Sequence, residues 1–238
     1  MPVQSAAEKQ GFCFPLRNLE NNRVLLSVFD PTIHGAQYIS ALAPDAISIH
    51  RYLPTPPITT LTDFLATFYE PLIVADPNSC LFAIHDKATS AFTGTIGLLN
   101  SSAQHLKSEI GYIIIAPSFR GTHVASNAIG LLMQYTLDLP ERGGLGLRRL
   151  QWQSNERNKA SVRVAEKMGF KKEGVVRWDR VVVGHIERGG DSETVERRNG
   201  DPRAELGGRH SVMLGMCWDE WEGGGRERAS EVMGRTRS

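Results

Sequence analysis

The sequence predicts an α/β (α+β) sandwich, with a mixed, mainly antiparallel, twisted sheet of about six to seven strands flanked by about four helices. Three observations predict it. Residues 109–115 are β-branched and aromatic, Pro117 and Gly121 mark a turn, and Ala128, Leu131, Leu132, Tyr135 and Leu139 then recur at three- and four-residue steps, giving strand, tight turn and amphipathic helix in succession. Upstream, residues 80–85 and 93–99 read as two strands joined through the polar stretch 86–90, and Glu109 opens the third strand of that meander. Downstream, a Gly143-Gly144 turn leads into a strand at 148–153, and a helix begins at Asn158.

The remaining elements follow in order. Residues 1–11 are polar and read as a flexible leader, followed by an extended entry at 12–19 and a first strand at 23–29. Asp30 can cap a helix that has Pro31 at its first position and Ile33, Ala36, Ile39 and Ala43 on its apolar face, ending by Pro44. Pro54, Pro56 and Pro57 make 48–57 a constrained loop. Thr59 or Thr60 can cap a second helix with Leu61, Phe64, Leu65 and Phe68 inward, which Pro71 stops near Glu70. After Phe170 a strand runs through 175–178, and 181–183 extend it. Residues 184–208 are dense in Glu, Arg, Asp and Gly with almost no aliphatic anchors, which predicts a disordered insertion. A closing strand at 210–218 and Trp221 follow, and 222–238 is a charged, flexible tail, so that 12–221 forms a single domain.

Composition narrows the classes. With 238 residues the chain can bury a sizeable core, and 27 Lys and Arg against 26 Asp and Glu give nothing that asks for nucleic acid or an acidic membrane surface. Cys13, Cys80 and Cys217 lie far apart with no Cys-x-x-Cys pair, and the seven histidines show no paired spacing, so neither a zinc site nor a disulfide framework is expected. No signal-peptide pattern opens the sequence and no apolar run reaches the length of a membrane span, which makes a soluble cytoplasmic protein the expectation. Phosphate-loop and Gly-x-Ser-x-Gly motifs are absent.

Strand, turn and helix start make an anion-binding geometry, because the first helical amides lack carbonyl partners and the helix dipole adds partial positive charge there. Here the strand holds Glu109-Ile110-Gly111-Tyr112 and the turn holds Arg120-Gly121-Thr122-His123-Val124-Ala125. A second block places Asn158 and Ser161 three residues apart, on one helix face, ahead of Gly169-Phe170 and Glu173-Gly174. In type, spacing and order the two blocks resemble the GCN5-related N-acetyltransferase (GNAT) superfamily, and are similar to its ribosomal-protein alanine acetyltransferase branch. In that branch a Glu-Ile-Gly-Tyr strand leads to an Arg-Gly-x-Gly-x-Ala loop, and an Asn-x-x-Ser helix ends at Gly-Phe. Two positions depart from the family pattern: His123 replaces the second loop glycine, and Ala165 stands where many members have a tyrosine.

The resemblance implies acetyl-CoA as cosubstrate, no metal, and a sheet whose fourth and fifth strands part to admit the coenzyme. It assigns Arg120, Gly121, Thr122, His123, Val124 and Ala125 to the diphosphate, Ile113, Ile114 and Ile115 to the strand beside the thioester, and Asn158 and Ser161 to the coenzyme arm and thiol. An amide near Ile114 would polarise the thioester carbonyl. Glu109 is the candidate base and equally a solvent-facing strand end, with Glu173 a weaker alternative; with Ala165 in place of the tyrosine, thiolate protonation falls to Ser161, to a water or to no protein group. Asn158 can also simply cap its helix, and Ser161 can simply pack. The expected activity is acetyl transfer to a primary amine, of a protein N-terminus or a small molecule, by direct attack in a ternary complex. Cysteine is missing from both blocks, which disfavours a covalent acetyl-enzyme. The competing readings are a non-catalytic acyl-CoA-binding or scaffold protein and an RNA-binding module, the latter requiring steeply salt-dependent binding. A monomer or a homodimer is expected.

Overall fold

The computed structural model describes residues 7, 10–53, 55–182 and 197–235. Eight strands form one sheet: β1 (Leu19–Glu20), β2 (Val24–Val28), β3 (Cys80–Asp86), β4 (Phe92–Ser102), β5 (Lys107–Ile115), β6 (Arg149–Asn155), β7 (Lys171–Val182) and β8 (Gly207–Cys217). Their order is β1-β2-β3-β4-β5-β6-β8-β7. Among the described residues five longer helices pack on it: α1 (Pro31–Leu42), α2 (Leu61–Phe64 running on through Leu65–Val74), α3 (His123–Leu137), α4 (Lys159–Met168) and α5 (Arg226–Gly234). All neighbouring strands are antiparallel except β5 and β6, which run parallel because α3 connects them as a crossover. The two-residue β1 accounts for the strand beyond the expected number.

Each sheet face carries its own core. On one, α3, α4 and α5 cover Leu26, Phe82, Ile96, Ile110, Leu150 and Leu214; on the other, α1 and α2 close over Phe29, Leu81, Ala83 and Ile114. Asp30 caps α1 as expected, its Oδ1 accepting from the Thr32 amide at 2.9 Å. The buried face of α1 differs from the expected one: His34, Gly35, Tyr38 and Leu42 turn inward, and Ile33 is 62% exposed. Aromatic packing selects that face, since Tyr38 lies 4.3 Å from Phe64 between ring centroids. Gly35 assists, because a Cβ there would come within 2.7 Å of Leu61 Cδ1. Thr60 caps α2, but Pro71 does not end it. The helix widens to a π-helical turn, in which the Ala75 amide donates to the Glu70 carbonyl at 2.9 Å, and so accommodates a residue that has no amide and would crowd the carbonyl four positions back.

Both ends of the expected domain need correction. Gln10, assigned to the flexible leader, is buried; its carboxamide donates to the carbonyls of Phe29 and Leu81 and accepts from the Leu81 amide. The tail expected from residue 222 contains α5, whose Ala229, Val232 and Met233 are buried against α3. Gly130 of α3 admits it: a Cβ there would sit 2.2 Å from Met233 Sδ. Arg228 donates to the Glu166 and Lys167 carbonyls at the end of α4, completing acceptors that a helix leaves open at its last turn. With α5 in place α3 is buried on most sides, including Ile129 and Met133, while Leu139, expected inward, is 50% exposed. The expected 184–208 insertion lies outside the described residues up to 196; 197–206 form turns and Gly207 opens β8. Trp178 and Trp218 are about half exposed, the Trp178 ring lying against Gly208 and His210, and no described helix is long and apolar enough to cross a membrane.

Asp138 ties these parts together, because its buried carboxylate accepts from Trp221 Nε1 at 2.9 Å and from Arg226 Nε at 2.8 Å. Asp138→Ala strands both donors and is expected to cost about 2–4 kcal/mol, read as a lowered urea midpoint.

Candidate active site

The parallel joint between β5 and β6 lasts only four positions, from Lys107 opposite Arg149 to Ile110 opposite Trp152. Beyond it the strands part, so one edge of β5 over residues 111–115 has no strand partner among the described residues. The parting coincides with a bulge. Tyr112 and Ile113 together oppose Ile96, and Tyr112 takes φ +49, a left-handed conformation that bends the strand away from its neighbour. Thr95 Oγ1 donates to the displaced Tyr112 carbonyl at 3.2 Å and stabilises the bulge.

From the end of β5 the chain turns through Pro117–Phe119 into α3. Arg120 and Gly121 are exposed, and Gly121 takes φ +69, which a residue with a Cβ rarely adopts. Arg120 Nε donates to the Ile115 carbonyl at 3.2 Å, folding the exposed side chain back along the strand end. Thr122 is the N-cap: its Oγ1 accepts from the Val124 amide at 3.3 Å and donates to the Phe119 carbonyl at 2.7 Å. The amides of His123 and Ala125 belong to the first helical turn and have no carbonyl within it. Val124, expected at the ligand, turns its side chain into the core and spends its amide on the cap.

His123 is placed so that it leaves the loop open. Its Nε2 donates to Asp86 Oδ1 at 3.0 Å, drawing the ring back to the end of β3. Thr89 donates to the other oxygen of Asp86 through its amide at 3.2 Å and its hydroxyl at 2.7 Å. Burial alone would raise the Asp86 carboxyl; the Thr89 hydroxyl, the His123 ring and the Ala88 amide outweigh it and hold the group below the ordinary carboxylate range.

Across the gap, Asn158 caps α4, its Oδ1 accepting from the Ser161 amide at 3.1 Å. Trp152 Nε1 donates to Ser161 Oγ at 3.0 Å, which occupies a lone pair and leaves the serine proton free to be given elsewhere. Ala165 is fully buried in the core, so α4 offers no hydroxyl at that position. Glu109 is buried, not a solvent-facing strand end: its Oε2 accepts from Asn100 Nδ2 at 3.0 Å and from Gln151 Nε2 at 2.9 Å. Glu173 is removed from the gap, paired through both carboxylate oxygens with Arg149 at 2.6 Å, at the opposite end of β6 from Asn155.

The fold thus gathers Ile113, Ile114, Ile115, Arg120, Gly121, Thr122, His123 and Ala125 on the β5–α3 side of the gap, and Asn158 and Ser161 on the β6–α4 side, with Glu109 at the last paired positions. Ile114 is buried under α1 and α2. Sequence reasoning missed the polar wall that continues from Glu109 across the sheet: Gln151, hydrogen-bonded to Glu109, and beside it Gln153, Asp179, Arg180, Ser211 and Arg209, hydrogen-bonded among themselves. Strand alternation in β6 was the available signal, because Leu150 and Trp152 enter the core while Gln151 and Gln153 face the other way. Among the described residues no group of three His, Cys, Asp or Glu side chains could hold a metal ion.

A family model described as "Acetyltransferase (GNAT) domain" matches residues 23–171, more than half of the chain. An N-acetyltransferase of Bacillus subtilis (strain 168), called YoaA and described as uncharacterized, is 36% identical over 96 residues. That match takes in 40% of this chain and spans only 51% of the relative's length. A GCN5-related N-acetyltransferase from Brucella melitensis superposes with a TM-score of 0.73 at 24% identity, covering 91% of this chain and 85% of the other. A probable acetyltransferase (GNAT family) from Chromobacterium violaceum superposes with a TM-score of 0.70 at 25% identity, covering 93% and 96%.

A carboxyl whose folded pKa is depressed stabilises above its unfolded value and ceases to do so as pH falls through the folded one. Asp86→Ala is therefore expected to destabilise by about 1.5–3 kcal/mol at neutral pH. The gap to the unmodified protein in thermal melts then closes as pH drops below the ordinary 3.8 of an aspartate.

Proposed function

Because the chain belongs to the GNAT acetyltransferase family, we propose that it moves an acetyl group from acetyl-CoA to a primary amine, of a protein N-terminus or a small molecule, by direct attack in a ternary complex. The observation that carries this reading is the parting of β5 from β6 beside an exposed loop with unpaired helix-start amides. Acetyl-CoA supplies an activated thioester and a diphosphate, and the residues fit both: Gly121 has no side chain in the way, and His123 is held off by Asp86. The amides around Gly121, His123 and Ala125 would hold the diphosphate together with the Arg120 guanidinium. The helix dipole adds up to ~2 kcal/mol, so direct hydrogen bonds supply most of the affinity. The edge of β5 at Ile113, Ile114 and Ile115 would line the arm and thioester, with Asn158 and Ser161 opposite.

An alkylamine is largely protonated at neutral pH and must lose a proton before it can attack. Glu109 is the group that takes it, directly or through water, and the two neutral carboxamides on Oε2 fix its orientation while Oε1 remains. Ser161, with Trp152 on its oxygen, relays a proton to the departing thiolate and takes one from water in exchange, a role Ala165 cannot fill. Holding amine and thioester in line is worth ~7–11 kcal/mol. Direct attack suits the cysteines: Cys80 is in the core, Cys217 lies opposite Arg149 at the far end of β6, and Cys13 precedes the first strand.

Acetyl-CoA at one hundred times its dissociation constant is expected to stabilise the protein by ~2.7 kcal/mol in a thermal-shift titration. Gly121→Glu should abolish that shift. Glu109→Gln should keep the shift and lower kcat/KM by roughly 10²- to 10⁴-fold. Stabilisation without acetyl transfer to any amine, and without effect of Glu109→Gln or Ser161→Ala, would leave a coenzyme-binding protein instead of an enzyme.

A further inference from the structure

On the sheet face away from α3, the polar wall ends in two arginines. Arg180 on β7 and Arg209 on β8 are register partners. Arg180 NH2 donates to Gln153 Oε1 at 2.9 Å, and Arg180 Nε approaches Asp179 Oδ2 at 3.3 Å. Asp179 Oδ2 also accepts from Gln153 Nε2 at 2.7 Å and from Ser211 Oγ at 2.7 Å. Arg209 donates twice to Ser211 Oγ, from Nε at 3.2 Å and NH2 at 3.1 Å, and once to the Tyr52 carbonyl at 3.0 Å. Its direct partners among the described residues are therefore all neutral. Burial, with Arg180 adding to it, pushes its pKa down to about 10.

Tethering the Tyr52 loop to β8 would explain one arginine. It does not explain a second cation placed against it, since two like charges in a part-buried site raise each other's cost unless an anion joins them. Asp179 compensates one guanidinium and leaves one positive charge, which matches a carboxylate better than a doubly charged phosphate. The other end of the same wall is negative. Gln151 holds Glu109 and Gln153 holds Arg180, and these glutamines are two residues apart on one face of β6, about 7 Å. Carboxylate and guanidinium therefore stand at two places along one wall, an arrangement that a ligand with an amine at one end and a carboxylate at the other would span.

We propose that the acceptor is an amine carrying a carboxylate a few bonds away, of the amino-acid type, and that Arg180 and Arg209 hold the carboxylate while the amine lies toward Glu109. This rests on the acetyl-transfer reading above, and supplies the acceptor class that it leaves open.

Release of free CoA from acetyl-CoA would be measured over matched pairs, each an amino acid and its amide, with an amidated peptide bearing a free N-terminus as a third arm. The acid is expected to exceed its amide in kcat/KM by ten-fold or more, the size of a charge-assisted hydrogen bond, with the difference in KM. Arg180→Gln and Arg209→Lys should bring that ratio down ten-fold or more through the KM of the acid. A purely structural arginine would lower acid and amide alike. The acetyl-CoA thermal shift reports whether each variant is folded. Equal rates within each pair, best turnover of the amidated peptide, or an unchanged ratio in both variants overturns the proposal. If no amine is turned over, the same pairs are compared by thermal shift on the CoA-saturated protein, where equal shifts for acid and amide overturn it too. Failure of acetyl-CoA itself to stabilise the protein sinks the acetyl-transfer reading, a result distinguishable from all of these.

Discussion

Among the described strands β5 and β6 are the neighbours that run the same way, so the chain between them has to cross over, and α3 is that crossover. A crossover helix starts where its preceding strand ends, which puts the open amides of α3 at the end of β5, where β5 has lost its partner. Had these strands been joined by a hairpin, their hydrogen bonds would continue to the turn and no gap would exist. The bulge at Tyr112 and Ile113 completes the separation from the β4 side. Gap and helix start are thus consequences of one topological choice.

The opening is stabilised by what lies behind it. Buried polar groups are costly unless paired, and the wall below the gap pairs them in series: Glu109 with Asn100 and Gln151, Gln153 with Asp179 and Arg180, Ser211 with Asp179 and Arg209. Apolar packing on the other face holds β6 and β8 in register, since Leu150, Trp152, Val212 and Leu214 belong to the core beneath α3 and α4. The same two strands therefore present a dry face and a polar face, and the polar one meets the cleft.

The sequence made legible what depends on short-range chemistry. Caps at Asp30, Thr60 and Asn158 fall where their side chains and spacing indicate, because a cap needs only the next few residues. Features set by distant partners escaped. Counting aliphatic residues turns α1 the wrong way, since its face is chosen by Phe64 and Leu61 of another helix. A charge-rich tail conceals the three anchors Ala229, Val232 and Met233, which have meaning only against Gly130. Arg209 directly follows the charge-rich stretch expected to be disordered, yet β8 begins at Gly207 and carries it into the wall. At Pro71 the rule that proline ends a helix omits the wider π turn.

His123 shows most directly how a departure from a family pattern can be absorbed. In the loop alone, replacing a glycine with histidine fills the space an anion needs, and the helix start should lose its ligand. Asp86 alters that outcome from the end of β3, since a carboxylate already oriented by Thr89 gives the imidazole a charge-assisted partner on the side away from the loop. The ring then adds a tether between the β3–β4 hairpin and the first turn of α3, which a glycine could not make. Whether a loop substitution harms or helps is therefore decided by a residue 37 positions earlier, and the pair Asp86–His123, not the single position, is the unit on which the loop's geometry depends.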